Sequence, residues 1–180
     1  LSPRSAPASQ EMDHAHALVM LPGSHTLFLG THNGMLQSKD EGRTWVPVPL
    51  LGAAKGIIDV MTLVADPSNP QIILAGTHER GVLQSRDGGK TWEEINSGLA
   101  GRDVHALTID PNKPKTLHAW VVDKGLYRTT DGGVRWVRVD DGPENPEVKA
   151  LASVNIPTGM GGIFLYAGTA TGLHRNPDCF

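Results

Sequence analysis

"SRDGGKTW", residues 85–92, repeats with few changes a stretch met earlier in the chain, "SKDEGRTW" at 38–45, and a third version stands at 129–136 as "TTDGGVRW". A catalytic loop is rarely written three times, whereas a fold built from repeats must turn its chain in the same way in every unit. Aligning the octets aligns what precedes them. "HAHALVM" (14–20), "DVMTLVADP" (59–67), "DVHALTIDP" (103–111) and "EVKALASV" (147–154) fall in register, with steps from His14 to Asp59, Asp103 and Glu147 of 45, 44 and 44 residues. A second run follows in each unit: "TLFLGTH" (26–32), "IILAGTH" (72–78), "TLHAWVV" (116–122) and "IFLYAGT" (163–169). Then come "GMLQS", "GVLQS", "GLYRT" or "GLHRN", the octet, and a short run such as "WVRVD". Short β-branched and apolar runs separated by Gly, Pro, Asn and Asp read as strands and turns.

The expected fold is all-β: a β-propeller of four antiparallel, four-stranded blades of about 45 residues, the size typical of a propeller blade. The blades are expected at about 13–50, 57–98, 102–142 and 146–180, after a flexible segment 1–12. The fourth octet breaks off at "NPDCF" (176–180), so the last blade is expected to be incomplete.

The octets resemble the Asp-box (BNR) repeat, whose pattern is Ser/Thr, any residue, Asp, any residue, Gly, any residue, Thr, Trp. The first two match throughout, and the third carries Arg135 in place of Thr. The resemblance implies a propeller like those of sialidases and other glycosidases, sortilin-type receptors, and photosystem II assembly and stability factors. The residues themselves point to a turn. Asp40, Asp87 and Asp131 can accept from backbone N–H groups that a tight reversal leaves unpaired. Gly42, Gly89 and Gly133 allow positive φ, and Trp45, Trp92 and Trp136 offer large apolar surface to the core.

Composition narrows the function. The chain of 180 residues carries 16 basic and 19 acidic residues, interspersed, with no basic stripe for nucleic acid and no apolar run long enough to span a bilayer. Gly 21 and Pro 13 suit many turns. The single cysteine, Cys179, excludes a disulfide within the chain. The Pro/Ser/Ala-rich opening "LSPRSAPASQ" is of the kind left by a cleaved leader, which sets an expectation of a periplasmic or extracellular protein.

Two sets of residues carry chemistry. Asp59, Asp103 and Glu147 open the first strands of units two to four and form a candidate carboxylate ring at one mouth of the channel. A glycoside hydrolase needs two such groups facing across a bond, one with a raised pKa. The sialidase version also calls for an arginine cluster and a tyrosine nucleophile. The chain has only Tyr127 and Tyr166, both in apolar strands, and lacks the arginine motif.

Two residues further along each first strand stand His16, Met61, His105 and Lys149. His16, Met61 and His105, with His14, His32 and His78 near the same mouth, make a candidate metal site. Imidazole with thioether suits copper, or zinc, better than calcium. The plain alternative is a water-filled channel lining. No cofactor is certain from sequence. The expected function is a non-catalytic, exported propeller that binds a protein partner, or serves as an assembly or accessory subunit of a larger complex, the redox complex being implied by the photosystem resemblance. A homo-oligomer or another protein is expected to cover the open blade edge. The alternatives are a sialidase-like hydrolase or a copper/zinc-binding periplasmic protein.

Overall fold

The structure, a computed structural model, describes residues 14–50, 58–139, 147–156 and 162–178. The expected segment 1–12 and Cys179 lie outside the described residues. Blade 1 consists of β1 (Ala15–Met20), β2 (Leu27–Thr31), β3 (Gly34–Ser38) and β4 (Val46–Pro47). Blade 2 holds β5 (Val60–Asp66), β6 (Asn69–Thr77), β7 (Gly81–Ser85) and β8 (Glu93–Glu94). Blade 3 holds β9 (Val104–Ile109), β10 (Leu117–Val121), β11 (Gly125–Thr129) and β12 (Val137–Val139). Blade 4 is β13 (Val148–Asn155), β14 (Ile163–Thr169) and β15 (Gly172–Asp178). Strand order within each antiparallel sheet follows the chain, and the fourth sheet has three strands, in line with the broken octet. The four sheets are arranged as a four-blade β-propeller. No helix among the described residues is long and apolar enough to cross a membrane.

The blades pack in chain order through their first strands, β1 on β5, β5 on β9 and β9 on β13, while β1 and β13 make no comparable contact. Blade 2 is therefore covered on both sides, and its sequence shows it. Along β6, Ile73 and Ala75 join Phe28, Met35, Val60 and Leu83 in the core between blades 1 and 2, while Leu74 joins Val82, Val104, Leu107 and Trp136 in the core between blades 2 and 3. Neighbouring residues of a strand face opposite ways. "IILA" and "GVL" are apolar without alternation because each face meets another blade. β1 alternates instead. Ala17 and Val19 pack on the core, while Leu18 and Met20 are each 62% exposed on the face that blade 2 does not cover.

The octets are turns with a shared wiring. In the first, Asp40 Oδ1 accepts from the Thr44 N–H (2.8 Å) and the Ser38 hydroxyl (2.8 Å), and Asp40 Oδ2 accepts from the Thr44 hydroxyl (2.7 Å). The second repeats this with Asp87, Ser85 and Thr91 at 2.9, 2.9 and 2.6 Å. In the third, Thr129 and the Arg135 N–H still donate to Asp131, but Arg135 has no hydroxyl to give the third bond. The hydrogen bonds from Thr44 and Thr91, side chain first, hold the Asp40 and Asp87 carboxyls down at about 2. Asp131 is also lowered, by Thr129 first.

Gly89 has φ +90°, and a Cβ there would meet Phe28 Cζ of blade 1 at 2.4 Å; at Gly133, φ +90°, it would meet Ile95 Cδ1 of blade 2 at the same distance. Each turn is thus pressed against the blade before it. The tryptophans follow suit. Trp92 and Trp136 are buried, and the Trp136 indole N–H donates to the Ile95 carbonyl (2.7 Å) in the preceding blade. Trp45 departs from the expectation that every octet tryptophan fills the core: it is only half-buried, because no blade precedes blade 1 among the described residues.

Candidate functional site

The geometry at the mouth begins with a glycine. At Gly30 a Cβ would lie 2.9 Å from the Val60 carbonyl oxygen, and at Gly76 it would lie 2.7 Å from that of Val104. In both places the end of one blade's second strand runs so near the next blade's first strand that no side chain fits between them. Two residues beyond each glycine stands a histidine, and one residue before each of those valines stands an aspartate. The close approach brings them together. His32 Nδ1 lies 2.5 Å from Asp59 Oδ2, and His78 Nδ1 lies 2.7 Å from Asp103 Oδ1. Both bonds cross a blade boundary. At the third boundary Val122 takes the histidine's place, and Glu147 is bound instead by Lys149 of its own strand at 2.6 Å.

A second device supplies a second imidazole. In every first strand one residue drops out of the ladder: the register shifts between Ala15 and Ala17, Val60 and Thr62, and Val148 and Ala150, while in blade 3 Ala106 and Val104 pair with successive residues of β10. The residues left over are His16, Met61, His105 and Lys149. A β-bulge bends its strand and re-aims a side chain, and bulges gather near sites. His16 is turned toward His32, with ring centroids 4.3 Å apart and nearly perpendicular, and its Nε2 is 3.7 Å from Asp59 Oδ1. His105 Nε2 lies 2.9 Å from Asp103 Oδ1, with its ring 5.7 Å from that of His78.

Two triads result, His16/His32/Asp59 and His78/Asp103/His105, each with three ligand-type atoms within 4.8 Å of one another. Their electrostatics differ. Burial, followed by the neighbouring His32, lowers the pKa of His16; the hydrogen bond to Asp103 raises that of His78. In the first triad Asp59 Oδ1 is buried and makes no hydrogen bond; in the second His105 Nε2 is buried and faces Asp103 Oδ1 at 2.9 Å without the alignment of a hydrogen bond. Burying such an atom unsatisfied costs about 1–3 kcal/mol.

The expected metal set is therefore divided. His16 and His105 sit in separate triads, and Met61 occupies the bulge of blade 2, the blade between them. His14, at φ +58°, is at the edge of the first triad with its ring 5.2 Å from that of His32. His32 and His78, secondary candidates on sequence, turn out central, and Asp59 and Asp103, assigned to a carboxylate ring, are their partners. Glu147 belongs to neither triad. Its carboxyl is held below its ordinary value by the Lys149 ammonium, opposite in direction to what a glycosidase acid requires. The three remaining histidines lie elsewhere: His25 pairs with Glu41 at 2.6 Å, His118 is buried in β10, and His174 is exposed on β15. A cleft of about 470 Å³ lies away from the triads and is lined in part by Pro22, Gln71, Asp87 and Lys90; Asp87 is its one carboxylate and is engaged in the octet turn.

No protein-family model matches this chain, and no curated protein matches it significantly. Among solved structures it is similar to the GH74 xyloglucanase of Xanthomonas campestris, with TM-score 0.68, 18% identity, and coverage of 93% of this chain and 30% of that one. A GH74 enzyme of Niastella koreensis gives TM-score 0.68, 21% identity, and coverage of 88% and 26%. The extracellular domain of a one-component system from B. thetaiotaomicron gives TM-score 0.64, 16% identity, and coverage of 89% and 21%. The likeness is one of fold. The chain spans less than a third of the length of these structures.

Proposed function

We propose that this chain is a non-catalytic binding section of an exported propeller protein, one whose mouth and open blade faces engage a partner. The observation that carries this reading is the state of the mouth carboxylates. Asp59 and Asp103 are hydrogen-bonded to imidazoles across blade boundaries, and Glu147 is paired with Lys149. Each is thus tied to a basic side chain, whereas hydrolysis of a glycoside needs two carboxyl groups facing one another across the bond. The exposed face of β1, with Leu18 and Met20, and the exposed Val154 and Leu173 of blade 4 supply apolar surface for a covering subunit or a second copy. The Asp-box resemblance of the octets, and the neighbours described as extracellular domains, support an exported setting. Service as an accessory or assembly subunit of a redox complex is the narrower form of the proposal and rests on the photosystem-factor resemblance alone.

The hydrolase reading keeps one support, the similarity of fold to xyloglucanases. Reducing-sugar release from xyloglucan and from sialosides separates the two. The binding reading expects release no faster than in buffer. Release abolished by Asp59→Asn or Asp103→Asn would overturn it.

A further inference from the structure

The geometry points to a pair of divalent transition-metal sites, one at each of the first two blade boundaries, held by His16, His32 and Asp59 and by His78, Asp103 and His105, with Zn²⁺ the ion that fits best. Each site offers two imidazoles and one carboxylate. This is a borderline N/O donor set that favours first-row transition ions over Ca²⁺ or Mg²⁺, which prefer all-oxygen cages. Three protein ligands leave a fourth tetrahedral position open to water or to a group from a partner.

The distances allow it. Zn–N and Zn–O bonds of about 2.0–2.2 Å place tetrahedral ligand atoms roughly 3.3 Å apart, and the ligand atoms of each triad already lie within 4.8 Å of one another. His32 and His78 are 46% and 50% exposed, which leaves their rings free to turn through the remaining distance of up to about 1.5 Å. The direct His–Asp hydrogen bonds would open to admit the ion.

Two observations set the triads apart from simple blade staples. The first is a buried ligand-type atom in each that completes no hydrogen bond: Asp59 Oδ1, and His105 Nε2, which faces Asp103 Oδ1 at 2.9 Å without hydrogen-bond alignment. A staple made of one imidazole and one carboxylate has no use for either atom, whereas an ion would take both as ligands. The second is the third boundary, where β9 packs on β13 with no His–Asp bond: Val122 stands in the histidine's place in the repeat and Glu147 pairs with Lys149 of its own strand. Joining blades therefore does not require histidine. Nor is the second histidine part of the inter-blade bond: His16 comes from the bulge of the preceding blade in one triad, and His105 from the bulge of the following blade in the other. Two different routes supply the same donor set. The inference is independent of the non-catalytic reading, since a bound ion could serve recognition or stability alone.

Untagged protein, stripped with chelator and exchanged into buffer, is titrated with Zn²⁺ in competition with a chromophoric chelator. The expected stoichiometry is two per chain, falling to one in Asp59→Asn, one in Asp103→Asn and none in the double variant. His16→Ala and His105→Ala leave both His–Asp bonds across the boundaries intact, so they report on binding even where the aspartate variants fail to fold. Each is expected to weaken its own site at least tenfold. Zn²⁺ should raise the melting temperature of the wild type and leave that of the His16→Ala/His105→Ala protein unchanged. Wild-type protein that takes up no Zn²⁺ against the competitor, binds Ca²⁺ equally well, or keeps its stoichiometry and affinity when His16 and His105 are both replaced would overturn the proposal.

Discussion

Gly76 and Gly168 stand at the same place in the repeat, the residue before the threonine that ends the second strand, and the structure expects opposite consequences when each becomes alanine. At Gly76 the new methyl would meet Thr62 Cγ2 at 2.5 Å, the Val104 carbonyl oxygen at 2.7 Å and Val104 Cγ1 at 2.9 Å. Side chains can turn aside, but the carbonyl oxygen belongs to β9 and moves only if blade 3 moves. Overpacking of this kind costs about 1–3 kcal/mol, and a backbone obstacle belongs at the upper end. At Gly168 the methyl would meet nothing nearer than Ala150 Cβ at 3.7 Å, an ordinary contact. Removing a glycine where the backbone tolerates a side chain stabilises by about 0.4–1 kcal/mol through the unfolded chain. The two variants should therefore differ by about 2–4 kcal/mol, which for a domain near this size is a gap on the order of 5–15 °C in melting temperature. Urea unfolding followed by tryptophan fluorescence, with the wild type between the two, measures it directly. Equal stabilities, or a Gly168→Ala protein less stable than Gly76→Ala, would refute both the close approach of blades 2 and 3 and the open face of blade 4.

Acid titration tests the octets: the Asp40 and Asp87 carboxyls are depressed in the folded state, so their stabilisation is complete above the ordinary carboxylate range and disappears as pH falls from about 4 toward about 2. Carboxyl NMR should find Asp131 depressed as well, by the Thr129 hydroxyl first, and Thr91→Val should raise Asp87 alone. Trp136→Ala should cost about 3–5 kcal/mol, typical of a buried tryptophan, and Trp45→Ala clearly less because its ring is half-exposed; denaturant midpoints decide. Replacing Leu18 and Met20 by serine should leave the melting point of the isolated chain nearly unchanged, within about 0.5 kcal/mol per site, while shifting any self-associated form toward monomer in sedimentation.

The repeat, the strand order and the turn function of Asp40, Asp87 and Asp131 were legible because each rests on a local pattern of a few residues recurring at one spacing. The mouth was legible only in part. Its residue types stood out, but their grouping rests on contacts between positions 27 and 25 apart, His32 with Asp59 and His78 with Asp103, which no periodicity marks. A signal was present in the paired words "GTH" and "DV", since the glycine permits the approach that joins them, but its meaning depends on knowing that consecutive blades touch at those points. The bulges were invisible for a different reason. A strict period of two places Asp59 and Met61, or Asp103 and His105, on one face, and an extra residue in the ladder breaks that period without altering the apolar pattern on either side. Trp45 was opaque in the same way, since its octet matches that of Trp92 and what differs is that no preceding blade packs on it among the described residues.

The four bulges have a further consequence. A side chain within a ladder is committed to one face and to whatever packs there, so exchanging it disturbs a blade. A bulged residue forms no such pair, and the four carried here are as unlike as His16, Met61, His105 and Lys149 while the strands around them keep the same register. Each first strand thus carries one position outside the ladder's pairing, and the chemistry there differs blade by blade, imidazole, thioether or ammonium, on an architecture whose register is the same around all four.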